Sequence, residues 1–298
     1  MQKQIKLSII IPSYNTCDLT LKCLSKVFAA FSKIPIEVIV IDNYSQDNSV
    51  IEITKKFPTV ILITNQDNLG FARAVNQGIK AARGKYILLL NTDAFVHKNL
   101  NKAIAFLDCH PKVGILSPRL VLPNGKINAN FGNYPSLITE FLDLTLLYKI
   151  LPWGRVMMDN IFTRKQFYQI QKVKWLSGTC LFIRHSVLEK IGLFDENYFM
   201  YLEDIDFCKR AREANFSVIF WGKDEVLHYH HGSSKGSLKP WEYLHNSLLY
   251  FWKKHYSRRL VSYQIIKIIS GFKLWIKTAI QTKNVKRRVQ NNNTKIKL

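Results

Sequence analysis

The stretch Ile36-Glu-Val-Ile-Val-Ile-Asp42-Asn-Tyr-Ser-Gln-Asp47 is an apolar run that stops abruptly in a polar loop. A near-continuous apolar strand is what a central parallel position demands, because helices cover both of its faces. The loop ends where a helix can start, at about Ser49–Lys56. The same unit recurs on either side. Lys6–Ile11 is rich in β-formers and stops at the turn Pro12-Ser-Tyr-Asn15; Asp18–Phe31 then shows helical spacing at Leu19, Leu21, Leu24, Val27, Phe28 and Phe31. Val60–Thr64 precedes Asn65-Gln-Asp-Asn-Leu-Gly70 and a helix over Phe71–Ala82, and Tyr86–Leu90 runs into Asn91-Thr-Asp93. Strand, loop and helix repeated in this way predict an α/β, doubly wound, mainly parallel sheet. Ligands of such sheets lie at the carboxyl ends of the strands, where each of these polar loops falls.

The chain has 298 residues, 47% of them hydrophobic, enough for a large core with an extension. Five cysteines (17, 23, 109, 180 and 208) are scattered without CxxC spacing, which points to thiols in a reducing compartment rather than to disulfides or zinc. The first residues pass directly into a strand, so no signal peptide is expected. No segment offers the unbroken apolar length of a membrane span. Further along, Trp175–Ile183 regains strand character, His185–Ile191 predicts a short helix and Ile205–Ala214 a longer one.

Charge is unevenly spread. The chain carries 43 Lys and Arg against 21 Asp and Glu, a net +22, yet Glu203, Asp204 and Asp206 fall within four positions. Clustered carboxylates persist where a cation, a basic partner or a proton in transit offsets them. Glu203 and Asp204 would stand at a helix N-terminus, where the dipole favours negative charge. Downstream lies His228-Tyr-His-His231, whose strand alternation would put His228 and His230 on one face and His231 on the other. No Asp or Glu follows Glu242, whereas Lys and Arg recur from Lys253 to the end. Within this tail Ile265, Ile268, Ile269, Phe272, Trp275, Ile276, Ala279 and Ile280 share one helical arc, with Lys267, Lys273 and Lys277 outside it. Such an arc can lie in an anionic membrane interface or dock on the protein itself.

The loops, taken in order, resemble the family 2 glycosyltransferases of GT-A fold. The matching segments are Pro12-Ser-Tyr-Asn15, Asp42–Asp47, Asn68-Leu-Gly-Phe-Ala-Arg73-Ala-Val-Asn76-Gln-Gly78, Asn91-Thr-Asp93, Trp175-Leu-Ser-Gly178, Phe194-Asp-Glu196 and Phe199–Asp206. The histidine about two dozen residues past Glu203-Asp204 continues the pattern, and the match spans roughly residues 6–235. The chain is most similar to the bacterial rhamnosyltransferase-like branch that builds surface polysaccharide.

The resemblance implies a GT-A, Rossmann-like mixed sheet over 1–240, with a nucleotide-binding half to about 115 and an acceptor half beyond it. Residues 241–298 would form a basic amphipathic helical extension. It also implies an inverting transfer from a nucleotide-diphosphate sugar to a hydroxyl of a lipid-linked or surface-glycan acceptor. The donor would be dTDP-rhamnose, or a UDP-hexose or UDP-N-acetylhexosamine. Pro12, Tyr14, Asn15, Asp42 and Asn43 would hold the base and ribose. Arg73, Asn76, Asn91 and Thr92 would face the ribose and diphosphate. Asp93 and His228 would bind Mg²⁺ or Mn²⁺, Asp204 would be the catalytic base, and Trp175, Gly178 and Glu203 would border the acceptor. Asn91 stands where the family's D-x-D motif has its first Asp, and an amide is a poorer ligand for a hard cation. A peripheral position at the cytoplasmic membrane face, through 253–298, is expected. No nucleic-acid motif accompanies the charge, so no nucleic-acid partner is expected. The residue-level rival is a non-catalytic nucleotide-sugar-binding protein.

Overall fold

A computed structural model describes residues 4–97, 100–147, 150, 165–229 and 238–295, with side chains as far as Gln281 in the last helix. Four parallel strands start the sheet: β1 (Leu7–Ser13), β2 (Ile36–Asp42), β3 (Ile61–Thr64) and β4 (Tyr86–Leu90). Between them run the helices α1 (Cys17–Ala30), α2 (Ser49–Lys56) and α3 (Phe71–Ala81). These elements match the sequence expectation to within a residue or two. They are followed by β5 (Ala94–Phe95), α4 (Asn101–Cys109), β6 (Val113–Val121), β7 (Ile127–Asn128), β8 (Phe131–Gly132) and α5 (Leu137–Thr145). The second half adds β9 (Ile170–Lys172), β10 (Trp175–Leu176), β11 (Cys180–Arg184), α6 (His185–Ile191), α7 (Glu203–Glu213) and β12 (Ser217–His228). Two helices close the chain, α8 (Lys239–His255) and α9 (Leu260–Lys295).

The main sheet runs in the order β3-β2-β1-β4-β11-β6-β12-β5, with β7 beside β6 and β9 beside β12. It is mixed: β11 lies antiparallel to both β4 and β6, and β5 lies antiparallel to β12. Its two faces follow the two-residue period of the strands. Ile9 and Ile11 of β1 pack with Cys23, Leu24 and Val27 of α1, Ile53 of α2 and Leu107 of α4. Ile10 between them joins Ile39, Ile41, Val75 and Ile79 of α3, and Phe207 and Ala211 of α7 on the other face. Each such fully buried aliphatic side chain is worth roughly 1.5–3 kcal/mol. Gly78 lets α3 come down on the sheet, because a Cβ there would stand 2.5 Å from Ile10 Cγ2.

Trp175–Ile183 is not one strand. It divides at Ser177-Gly-Thr179, with β10 pairing β8 in a separate two-stranded sheet and β11 entering the centre of the main one. Backbone bonding explains the break, because Ser177 N–H goes to Asn130 O and Thr179 O accepts from Asn91 N–H. The local β-propensity is unchanged across the break; the partners differ.

The C-terminal extension begins as part of the main body of the fold. Leu248, Phe251 and Trp252 of α8 and Ile266 of α9 form a third core with Tyr198 and Leu202. Fully buried Asp206 of α7 binds Arg210 Nε, Lys254 Nζ and His255 Nε2, each at 2.7 Å. Asp195 takes Lys254 at 2.7 Å and the Tyr250 hydroxyl at 2.9 Å. Lys254, expected in a free basic tail, is therefore bound inside the fold. The apolar arc expected on the last helix is rotated outward: Ile266 and Ser270 face the protein, while Ile265, Ile268, Phe272, Trp275 and Ile280 are exposed. Among the described residues no helix is long and apolar enough to cross a membrane.

Burial alone would raise the Asp206 carboxyl, but His255, Lys254 and Arg210 outweigh it and hold it below its ordinary 3.8. Its stabilisation is thus complete above that value and lost as pH falls through the lower native one. Asp206→Ala, which takes the shared partner from Arg210, Lys254 and His255, is expected to cost about 3–5 kcal/mol at pH 7 in urea unfolding. The deficit should shrink on acidification.

Candidate active site

The strand-end loops converge as the topology requires. Pro12 and Ser13 close β1, Asp42 closes β2, Asn91-Thr-Asp93 follows β4 and His228 closes β12. Backbone is forced into rare conformations there: Asn15 (φ 52°), Tyr44 (72°), Tyr201 (72°) and Leu202 (64°) are left-handed without being glycine. Such strain persists only where surrounding bonds over-determine it. The Asn15 side-chain oxygen accepts Gln46 N–H at 2.7 Å, Asn15 N–H meets Ser45 Oγ at 2.9 Å, and Cys17 N–H meets Asp47 at 3.0 Å. The loops after β1 and β2 are thereby knitted into one wall, with Tyr14 and Tyr44 exposed on it.

Asp42 is 2% exposed. Its Oδ2 accepts Ser45 N–H at 2.9 Å, and its buried Oδ1 has no partner among the described residues. Asn43, expected to touch the nucleotide, has a different job. Its amide donates to Asn68 Oδ1 and Gly70 O, and accepts from Asn65 Nδ2 and Leu69 N–H. It builds the Asn65–Gly70 loop and has no capacity left for a ligand. Asn76 likewise departs from expectation. It is 1% exposed and exchanges two hydrogen bonds with the Phe194 backbone, adding a third to Glu196. Arg73 lies 3.6 Å from Glu196 on the same side and is half exposed. Both residues fasten α3 to the 194–196 segment, and neither shares a bond with Asp42, Asp93 or Asp204.

Asp93 and His228 are brought together by the antiparallel pairing of β5 with β12, in which His228 stands opposite Ala94 and Tyr229 N–H binds Asp93 O. His228 Nε2 is 3.5 Å from Asp93 Oδ1, and both side chains are largely buried. Asn128 of β7 contacts His228 Nδ1 at 3.0 Å. As placed, the Asn128 amide N–H donates to Nδ1, which puts the ring proton of a neutral imidazole on Nε2. Binding a cation through Nε2 requires the Asn128 amide to turn over, so that its oxygen accepts Nδ1–H. A lone Asn carries no signal for this in the sequence. His230 and His231 lie outside the described residues. Among the described residues no three His, Cys, Asp or Glu side chains converge as a ready metal cage. One carboxylate and one imidazole do fit a cation that also takes oxygens from a diphosphate.

Asp204 stands in the first turn of α7. Gly178 N–H binds its Oδ2 at 3.0 Å, and Ile205 N–H binds its Oδ1 at 2.8 Å. Gly178 therefore acts through its N–H on Asp204. Next to it, Thr179 O accepts Asn91 N–H at 2.9 Å, so two backbone bonds join the Asp93 loop to Asp204. Thr92 is buried within that loop. Trp175 spends its indole N–H on Asn133 O at 2.9 Å and packs over Gly132. Phe71 N–H binds Phe199 O at 2.7 Å and Gly70, at φ 81°, abuts Phe199. The first half of the site is thus tied to the segment that carries the acidic pair. From α8, Ser247 Oγ donates to Met200 O at 2.8 Å, holding the strained Tyr201-Leu202 turn from behind.

The two neighbouring carboxyls differ in surroundings. Glu203 is buried, and its Oε2 has no partner among the described residues. Burial and the adjacent Asp204 push its carboxyl well above the ordinary 4.5. Burial also raises half-buried Asp204 above 3.8, against the opposing pull of its Gly178 and Ile205 N–H donors.

These features coincide with a known family. The sequence profile described as "Glycosyl transferase family 2" matches residues 8–192. The chain belongs to glycosyl transferase family 2. The profile covers the nucleotide-side loops and Gly178, while Asp204 and His228 lie beyond it. An N-acetylglucosaminyl-diphospho-decaprenol L-rhamnosyltransferase of Mycobacterium tuberculosis is 30% identical over 212 residues, 65% of this chain and 67% of the relative. The low-salt glycan biosynthesis hexosyltransferase Agl10 of Haloferax volcanii is 27% identical over 71% of this chain and 63% of its own length. Among solved structures, Staphylococcus aureus TarS 1-349 in complex with UDP superposes at TM-score 0.54 and 18% identity, covering 83% of this chain and 66% of that one. GalNAc-T7 with UDP, GalNAc and Mn²⁺ reaches TM-score 0.59 at 14% identity over 91% and 55%. The fold is accordingly GT-A, and this chain is a glycosyltransferase.

The raised Glu203 value implies a stability cost that appears as pH rises through it, because the native state resists losing that proton. Glu203→Gln is expected to unfold like the wild type in acid and to be more stable at pH 8. Thermal melts across pH would check this.

Proposed function

We propose that the protein transfers rhamnose or a hexose, with inversion, from a nucleotide-diphosphate donor to a hydroxyl of a lipid-linked glycan. The observation that carries the proposal is the pairing of Asp93 with His228, joined through Asn91, Thr179 and Gly178 to a separately held Asp204. The Mycobacterium tuberculosis relative, by its name, uses rhamnose and a diphospho-decaprenol acceptor. TarS, which shares the fold, was solved in complex with UDP, the class of ligand this reading requires.

Tyr14 and Tyr44 offer flat surfaces beside the knitted loops, and Asp42 Oδ1 offers an acceptor to a base N–H or ribose hydroxyl. Asp93 and His228 would hold Mg²⁺ or Mn²⁺, with Asn91 and Thr92 beside them and the donor diphosphate completing the shell. When bound, the cation stabilises the charge that builds on the leaving diphosphate. The acceptor hydroxyl is far too weak an acid to react unaided, so a positioned carboxylate must take its proton during attack. Asp204 suits that role. Two backbone N–H groups fix its orientation, and its raised value makes it a stronger base than a solvated aspartate. Glu203, kept protonated more readily, does not compete for that proton and leaves one charge at the acceptor side. Trp175 would border the acceptor. No covalent nucleophile is required for displacement from the face opposite the diphosphate.

Asp204→Asn is expected to lower kcat by about 10²–10⁴-fold while leaving donor affinity within about twofold, the usual worth of a general base. Initial rates with dTDP-rhamnose and UDP-sugars would test this and name the donor. Equal turnover by the variant would remove Asp204 from the chemistry. Because the base must be deprotonated, the acid limb of wild-type kcat should lie above the ordinary carboxylate value of 3.8. A limb at or below that value would contradict the assignment.

A further inference from the structure

The outward face of α9 has no partner within the described residues and is strongly apolar. Val261, Ile265, Ile268, Phe272 and Trp275, spaced alternately four and three apart, are exposed by 75%, 40%, 71%, 49% and 64%. That spacing makes one straight stripe on a helix. Phe272 and Trp275 stack at 5.6 Å and extend it as a flat aromatic surface. The opposite face of the helix is fully used. Ile266 and Ser270 are buried, and Lys273 reaches Glu140 at 2.7 Å and Asp143 at 2.8 Å on α5. On α5, Ile138 and Phe141 beside that bridge are also exposed. A continuous stripe of this size is not left in water without an occupant.

We infer that the Val261–Trp275 stripe of α9 docks the enzyme on an anionic lipid surface. Charge decides between this occupant and a second copy of the chain. The spacing alone would suit a two-stranded coil. From Leu260 to Lys295, however, the helix holds eight Lys and Arg and no Asp or Glu, so two copies laid together would bring like charge against like charge. Positions flanking the stripe that would carry pairing charges in a coil are Gln264, Gly271 and Thr278 on one side and Ser262, Ile269 and Ile276 on the other. None can form an ion pair. Lys267 lies on the helix flank between the stripe and the buried face, and Arg258 and Arg259 are exposed just before the helix, whereas Lys277 lies on the protein-facing side, 4.3 Å over the Trp241 ring. An apolar stripe with aromatic rings, on a helix whose charges are all positive, is the pattern of a helix lying in a headgroup layer. The inference goes beyond the proposed reaction and needs neither donor nor acceptor identity. It also accounts for α8, which ties this helix rigidly to the Met200–Asp206 segment.

The test is co-sedimentation of the full chain with phosphatidylcholine vesicles containing about one third phosphatidylglycerol, against pure phosphatidylcholine. The wild type should pellet with the anionic vesicles and at least tenfold less with the neutral ones. Ile268→Ser combined with Trp275→Ser should lower anionic-vesicle binding at least tenfold. Arg258→Gln with Lys267→Gln, which spares the apolar stripe, should weaken it several-fold and flatten its salt dependence. Far-UV spectra and sedimentation velocity on the same samples distinguish folded monomers from other states. Undiminished pelleting of a folded stripe variant would overturn the inference. So would a wild-type dimer that the stripe substitutions convert to monomer without changing lipid binding.

Discussion

Everything in the site hangs on the short backbone bridge between the Asp93 loop and Asp204. Asn91 N–H binds Thr179 O, and the neighbouring Gly178 N–H binds Asp204 Oδ2. These bonds link three segments that are distant in sequence, around Asn91, Gly178 and Asp204, and they exist only because β11 enters the sheet beside β4. An antiparallel strand at that place delivers the Ser177–Thr179 turn to the carboxyl end of the parallel strands. The same entry breaks the Trp175–Ile183 stretch and sends Trp175 into the small sheet. Fold and site are therefore one constraint: moving β11 would separate the group that can hold a cation from the group that can accept a proton.

The bridge is held from behind by polar contacts that belong to structure and not to chemistry. Asp206, two residues past Asp204, binds Arg210, Lys254 and His255, the last two on α8. Ser247 of the same helix fixes the Met200 carbonyl ahead of two consecutive left-handed residues. Three carboxylates within four positions thus divide their work by environment. Asp206 is paired and stays charged, Glu203 is desolvated and resists charge, and Asp204 stands between them on two N–H donors. The acidic knot in a strongly basic chain is the result of this division.

Much of this was legible in the sequence. The alternation of apolar runs with polar loops located β1 to β4 and the carboxyl-end loops, because strand burial on both faces writes itself directly into composition. Asp42 and Asp93 stand at the ends of such runs and Asp204 in the carboxylate cluster at a helix start, while the roles expected of all four, His228 included, come from the family resemblance. Asn43 and Asn76 were read as ligand contacts and turned out to tie loops together, since an amide's partners depend on backbone that lies far away in sequence. Asn128 behind His228 and Thr179 beside Asn91 gave no signal at all, being contacts made by register. The last helix showed its apolar arc plainly, but its facing was set by Ile266 and the Lys273 bridge to α5, neither of which periodicity could select.

The central claim is that cation and proton are handled by separate residues on the two sides of the bridge. Calorimetric titration of the accepted nucleotide-sugar with and without Mn²⁺, carried out on Asp93→Ala and Asp204→Asn side by side, tests it most directly. The account predicts that Asp93→Ala loses the Mn²⁺-dependent part of binding and that Asp204→Asn keeps it. Metal-dependent binding that survives in Asp93→Ala, or disappears in Asp204→Asn, would contradict it.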